Sequence, residues 1–140
     1  MQLRDIMTRR IVTVELDDRL REVKEIFDRM KFHHVLVVDE GRLLGVVSDR
    51  DLLRALSPFI DSIVESPRDA ATLDKRVHQI ATRKPFALGP DAPVDDAIAL
   101  MLEQRVSCIP VVDDDARPVG IVTWRDVLAW VRDRRDAAGG

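Results

Sequence analysis

The chain has no tyrosine, and aromatic residues make up only 4% of its 140 residues. Its core must therefore be built from Val, Ile, Leu, Ala and Met. A single cysteine, Cys108, excludes an internal disulfide and leaves no thiol pair to hold zinc. It also fits a reducing compartment. No stretch approaches the roughly eighteen apolar residues of a membrane span. The opening Met1-Gln2-Leu3-Arg4-Asp5 lacks the basic-then-apolar pattern of a secretory signal, so a cytoplasmic protein with no membrane partner is expected. Positive charge is not in excess either: the formal net charge is −3, and Arg9-Arg10 is too short a basic run to hold a nucleic acid. What is present, 46% hydrophobic and 34% charged residues, is the composition of a globular chain rather than a disordered one.

The sequence repeats itself, and that decides its organisation. Ile6-Met7-Thr8-Arg9 returns as Ile80-Ala81-Thr82-Arg83, 74 positions later. Asp17 returns as Asp91, and Val37-Val38-Asp39 as Val111-Val112-Asp113. One residue then enters the second copy, and Gly45-Val46-Val47-Ser48-Asp49-Arg50-Asp51 returns as Gly120-Ile121-Val122-Thr123-Trp124-Arg125-Asp126, 75 positions on. Each copy reads as β-α-β-β-α. Short apolar strands at 12–14 and 86–88 lead to helices capped by Asp17 and Asp91. Leu20, Val23, Phe27 and Met30 in the first helix, and Val94, Ala97, Ile98 and Met101 in the second, recur at helical spacing and predict core faces. Strands at 35–38 and 109–112 form hairpins with strands at 43–47 and 119–122, and a second helix starts at Ser48 or Thr123. The organisation expected is a first repeat over 3–56, a linker over 57–76, a second repeat over 77–131 and a tail over 132–140. In the linker, Phe59, Ile60, Ile63 and Val64 suggest a helical turn, and residues 137–140 are expected to fray. About fifty residues cannot cover both faces of a small sheet. The fold class is therefore α+β, with the two repeats packed face to face about a pseudo-twofold axis and two related clefts between them.

The chemistry gathers in the twice-used glycine-apolar-apolar-hydroxyl-x-x-carboxylate segment. Ser48-x-x-Asp51 and Thr123-x-x-Asp126 are capping boxes at helix starts, a purely structural account that is sufficient by itself. The same arrangement also suits a nucleotide. A helix N-terminus favours phosphate, a hydroxyl can donate to a phosphate oxygen, and a carboxylate one turn in can accept from ribose hydroxyls. Arg50 and Arg125 stand beside these carboxylates and could pair with phosphate. Gly45 and Gly120 allow backbone or ligand to approach closely.

The repeat with its G-h-h-[ST]-x-x-D ending resembles the cystathionine-β-synthase (CBS) domain, and two in one chain resemble the pair called a Bateman module. The resemblance implies a regulatory ligand-sensing module, not an enzyme, which requires no cofactor. It would bind an adenine nucleotide (AMP, ADP, ATP, NAD or S-adenosylmethionine) in the clefts between repeats, form a homodimer and signal to a partner protein whose identity is open. It implies ribose contacts from Asp51 and Asp126 and phosphate-side contacts from Ser48 and Thr123. It implies adenine contacts from Val12, Thr13, Phe86 and Ala87, and a second wall from His34, Val35, Ile109 and Pro110. The family's proline stands at Pro110 but is replaced by Leu36 in the first repeat. Pro85 removes a backbone donor at the start of the second repeat's first strand.

Other residues support no second chemistry. His33 and His34 are adjacent next to a strand, where side chains alternate, so the two do not converge on one metal and no metal site is expected. Cys108 has no base to activate it. Trp124 suits the rim of a cleft, and Trp130 a contact with a partner chain. The alternative function is a ligand-free dimerisation or interaction module in which the Ser/Thr-x-x-Asp segments are helix caps only.

Overall fold

A computed structural model describes residues 1–139. Its elements in chain order are α1 (Leu3–Ile6), β1 (Thr13–Val14), α2 (Leu20–Met30), β2 (His34–Asp39), β3 (Arg42–Ser48), α3 (Asp49–Ala55), α4 (Pro67–Ala70), β4 (Thr82–Arg83), α5 (Val94–Gln104), β5 (Cys108–Val112), β6 (Pro118–Thr123) and α6 (Trp124–Gly139). Two 3-10 turns, Ala71–Asp74 and Val77–Gln79, precede β4. The class is α+β. No helix among the described residues is long and apolar enough to cross a membrane.

The chain forms two compact bodies, and neither coincides with a sequence repeat. The first comprises Met1–Ile11, Gly41–Leu43 and Pro85–Gly140; the second comprises Val12–Glu40 and Leu44–Lys84. Each body thus takes its leading segment from the other repeat. In the second body the sheet order is β1-β2-β3-β4. β1 runs parallel to β2, with Val14 opposite Val37, and β4 runs antiparallel to β3, with Thr82 opposite Val46. The first body repeats this around the β5–β6 hairpin: Leu88 bridges Val111 in parallel and Thr8 bridges Ile121 in antiparallel. These are the same register positions displaced by the repeat, so Thr8 completes the edge of β6 as Thr82 completes the edge of β3.

The exchanged segments also satisfy backbone groups at the helix starts. Leu3 N–H donates to the Ala92 carbonyl at 2.9 Å and Arg4 N–H to that of Pro90 at 3.0 Å, while Val94 N–H donates to Met1 O at 3.1 Å. The matching bonds in the second body join Val77 N–H to Asp18 O (2.8 Å), His78 N–H to Leu16 O (3.0 Å) and Leu20 N–H to Lys75 O (2.9 Å). The N-cap residues are consequently Arg19 and Pro93, not the expected Asp17 and Asp91. No side-chain cap is needed where a carbonyl from the exchanged segment meets the first helical amide. Both helices end on a left-handed residue, Lys31 (φ 53°) and Arg105 (φ 55°).

Each body has its own apolar core. Leu3, Met7, Val94, Ala97, Met101, Ile109, Val111, Val122, Val127 and Trp130 pack in the first. Val14, Leu20, Val23, Val35, Val37, Val47, Leu52 and Val77 pack in the second. Trp130 is therefore a core residue of its own body, with Arg134 stacked 4.7 Å from its ring centroid, rather than a contact awaiting a partner chain. Met30, expected on the core face of α2, is exposed at the last residue of the helix, where the chain leaves through left-handed Lys31.

Three other expectations are corrected. The strand over 86–88 reduces to the single bridge at Leu88, since Pro85 offers no N–H and Phe86 is exposed. Phe59, Ile63 and Val64 are exposed and form turns, not a packed helix. The linker docks instead through buried Leu73, through Asp74 paired with Arg19 and Arg21 at 3.1 Å each, and through the Lys75 ammonium on the Ala55 carbonyl. Residues 137–139 continue α6, and Gly140 lies outside the described residues.

If the leading segment is a structural part of the first body, Leu3→Ala should cost about 2–5 kcal/mol, the usual range for emptying a fully buried leucine site. The exposed control Glu103→Ala should stay within about 0.5 kcal/mol. Urea unfolding checks both, and a Leu3→Ala cost as small as the control's would contradict the exchange.

Candidate functional site

Each body brings one motif together with the segments that the sequence pairs with it. In the second body, Thr13 lies opposite Leu36, Leu36 N–H donates to the Val12 carbonyl at 3.0 Å, and β3 leads from the same sheet into α3. Val12, Thr13, His34, Val35, Ser48, Arg50 and Asp51 thus share one body. In the first, Leu88 N–H donates to the Pro110 carbonyl at 3.2 Å, and Phe86, Ala87, Ile109, Pro110, Thr123, Arg125 and Asp126 share the other. Val35 and Ile109 are fully buried, so only their backbone could face a ligand. Thr13, Phe86, Arg50 and Arg125 are exposed, and His34 is half-buried. Arg50 and Arg125 form no ion pair among the described residues, so their charge is available.

Both carboxylates reach back to the cap amide as the spacing predicts, but the two motifs differ in what the hydroxyl does. At α3, Ser48 N–H donates to Asp51 Oδ2 at 2.9 Å, and Asp51 N–H donates to Ser48 Oγ at 3.1 Å. At α6, Thr123 N–H and Thr123 Oγ1 both donate to Asp126 Oδ2, at 2.9 and 3.2 Å. A residue that sequence reasoning left out of the site, Thr8, donates from its hydroxyl to Asp126 Oδ1 at 3.0 Å. Its signal was the repeated Ile-x-Thr-Arg segment, which aligns Thr8 with Thr82 but cannot say what either threonine meets.

The position next to each motif carries a titratable side chain of a different kind. His34 and Cys108 occupy the same place in the two repeats, each opening the strand beside the motif. Burial lowers the His34 pKa below its ordinary value, opposed by the charges of Asp49 and Asp51, while neighbouring His33 lowers it further. His34 is therefore neutral at pH 7. His33 is held outward by Asp49, Nδ1 to Oδ2 at 2.9 Å. Burial pushes the Cys108 thiol up to about 12, and the Asp126 charge adds to this. A thiol so placed is not a nucleophile at neutral pH.

The motif glycines answer to backbone, not ligand. A Cβ on Gly45 would lie 2.6 Å from the Thr82 carbonyl oxygen, and one on Gly120 would lie 2.7 Å from Met7 Sδ and 3.0 Å from the Thr8 carbonyl. In both bodies the exchanged segment crosses directly over the glycine. Gly45→Ala should therefore cost about 1–3 kcal/mol, because the atom in the way is backbone and cannot rotate aside. Gly89→Ala, whose Cβ meets only a carbonyl at 3.9 Å, should stay within about 0.5 kcal/mol. Urea unfolding of both variants distinguishes steric closure from a merely tolerated glycine, since equal costs would rule closure out. Cys108, for its part, should react with a thiol-specific disulfide reagent at pH 8 at least about a hundredfold more slowly in the native protein than in denaturant. Labelling at the unfolded rate would show an accessible, ionisable thiol.

The CBS domain model matches residues 3–58 and 77–133. A CBS domain-containing protein of Dictyostelium discoideum is 32% identical over 128 residues, covering 90% of this chain and 88% of its own. The CBS domain pair of protein MJ0100, solved in complex with 5′-methylthioadenosine and S-adenosyl-L-methionine, superposes with a TM-score of 0.79 at 27% identity, covering 96% of this chain and 98% of its own. CBSX2 in complex with AMP superposes with a TM-score of 0.78 at 27% identity, with the same coverage of 96% and 98%. With two matched repeats spanning most of its length, the chain belongs to the CBS domain family.

Proposed function

We propose that this CBS pair is a regulatory module that senses an adenine nucleotide or nucleoside, with Asp51 and Asp126 accepting from the ribose hydroxyls. Ser48, Thr123, Arg50 and Arg125 stand on the phosphate side. The observation that carries the reading is the twofold recurrence of a carboxylate at a helix start beside an arginine without an ion pair. It occurs in a chain similar to CBS pairs solved with AMP and with S-adenosylmethionine. Adenine would lie against the exposed or half-buried Val12, Thr13, Phe86 and Ala87, with His34 supplying a neutral ring. The output is a shift in conformation read by a partner protein, which requires the ligand to prefer one arrangement over another. The module is read as non-catalytic, in keeping with its one thiol, Cys108, which burial holds un-ionised.

A second reading is a dimerisation module. It draws on Trp124, Leu128 and Val131, three exposed apolar residues at helical spacing along α6, which would suit a second copy of the chain.

The two readings part in a thermal melt with AMP, ADP, ATP, NAD and S-adenosylmethionine at about 1 mM each. A ligand at 100 times its dissociation constant should stabilise the fold by about 2.7 kcal/mol, several degrees for a chain of this size. The shift should disappear in the Asp51→Ala/Asp126→Ala double variant. No shift with any ligand, together with a dimer in sedimentation, would favour the second reading.

A further inference from the structure

Resting on the nucleotide reading above, we infer that Thr8 makes the two motifs unequal: its hydroxyl occupies the Asp126 carboxylate, so the Asp51 motif binds nucleotide more tightly and fills first. A carboxylate has about four acceptor sites on its two oxygens. Asp126 takes three donors: Thr123 N–H and Thr123 Oγ1 on Oδ2, and Thr8 Oγ1 on Oδ1. Among the described residues Asp51 takes a single donor, Ser48 N–H on Oδ2. The Ser48 hydroxyl, unlike that of Thr123, accepts from the helix amide instead of donating to the acid. Two ribose hydroxyls therefore find ample acceptor capacity at Asp51, including an Oδ1 with no partner among the described residues. At Asp126 they find about one site.

Thr8 cannot withdraw by moving its backbone. Its N–H donates to the Ile121 carbonyl at 2.9 Å, and Ile121 N–H donates back to the Thr8 carbonyl at 2.9 Å, which fixes it on the edge of β6. The matching residue of the other body, Thr82, holds the same register on β3, yet its side chain is exposed and reaches no carboxylate among the described residues. Ribose at Asp126 must therefore displace the Thr8 hydroxyl by rotation about its side-chain bond, and the charge-assisted bond lost there is one that Asp51 never has to give up. The lost bond corresponds to a difference of about tenfold or more in affinity.

The test is calorimetric titration of the full chain with AMP. Wild type should show two classes of site separated by about tenfold or more. Asp51→Asn should remove the tight class, and Asp126→Asn the weak one. Thr8→Val, which keeps the backbone bridge and removes the donor, should tighten the weak class towards the tight one. Thr8→Ser, which keeps the donor, should preserve the wild-type ratio and stands in should the valine variant fail to show a native melt. Two equal sites in wild type, or a weak class unmoved by Thr8→Val in a protein with a native melt, would overturn the inference while leaving the nucleotide reading in place. An absence of binding heat in wild type, with no thermal shift from the other adenine ligands, would overturn both.

Discussion

The crossing of each leading segment over the motif glycine is the constraint on which the rest of the structure depends. Thr82 lies across Gly45 and Thr8 across Gly120, so close that a methyl group on either glycine would meet backbone at 2.6 and 3.0 Å respectively. That closeness lets Thr8 and Thr82 pair with the outer edges of β6 and β3, satisfying backbone groups that would otherwise be open to solvent or to another chain. It also sets the carbonyls of Met1 and Lys75 over the first amides of α5 and α2. A small sheet with one helix-covered face is too little to stand alone. The borrowed segment adds an edge, a helix cap and a buried side chain, Leu3 or Val77, to each body at once.

The same crossing places chemistry beside the motif. Because the segment that closes the first body is pinned at Thr8, a hydroxyl is delivered to Asp126. At the other body the equivalent hydroxyl stays in solvent. The neighbouring strand position adds a further difference, a neutral imidazole at His34 against an un-ionised thiol at Cys108. Repeats that look interchangeable at the level of the G-h-h-[ST]-x-x-D pattern thus present acids with different remaining hydrogen-bond capacity. Duplication supplies two sites of one design, and the departures from symmetry are where the two acquire separate behaviour.

Capping and binding make compatible demands on Ser/Thr-x-x-Asp. A carboxylate held by a cap amide is oriented, and its unshared oxygen can still receive a ligand. At Asp51 the cap occupies one oxygen and leaves the other. At Asp126 the cap and Thr8 together occupy both. The structural account of the motif and the ligand account therefore describe one geometry, and the difference between them lies in how much of the carboxylate the protein keeps for itself.

The sequence by itself determined the duplication, the strand–strand–helix body of each repeat and the caps at Ser48 and Thr123. These are local: a hairpin of β-branched residues, an apolar stripe at helical spacing and a hydroxyl three residues before an acid all act within a few residues of each other. Its resemblance to the CBS domain rested on those same local features, and the family match agrees with it. Tertiary structure alone decided that the leading segment of each repeat serves the other repeat's body, that Asp17 and Asp91 are displaced as caps by distant carbonyls, that Trp130 turns into its own core, and that Thr8 meets Asp126. The exchange, the displaced caps and the Thr8–Asp126 bond join residues some fifty-five to more than a hundred positions apart, and neither periodicity nor propensity carries information over that distance. Such pairings are selected by which backbone edge is left unsatisfied once the local elements have formed, a property of the assembled sheet and not of any short stretch of chain.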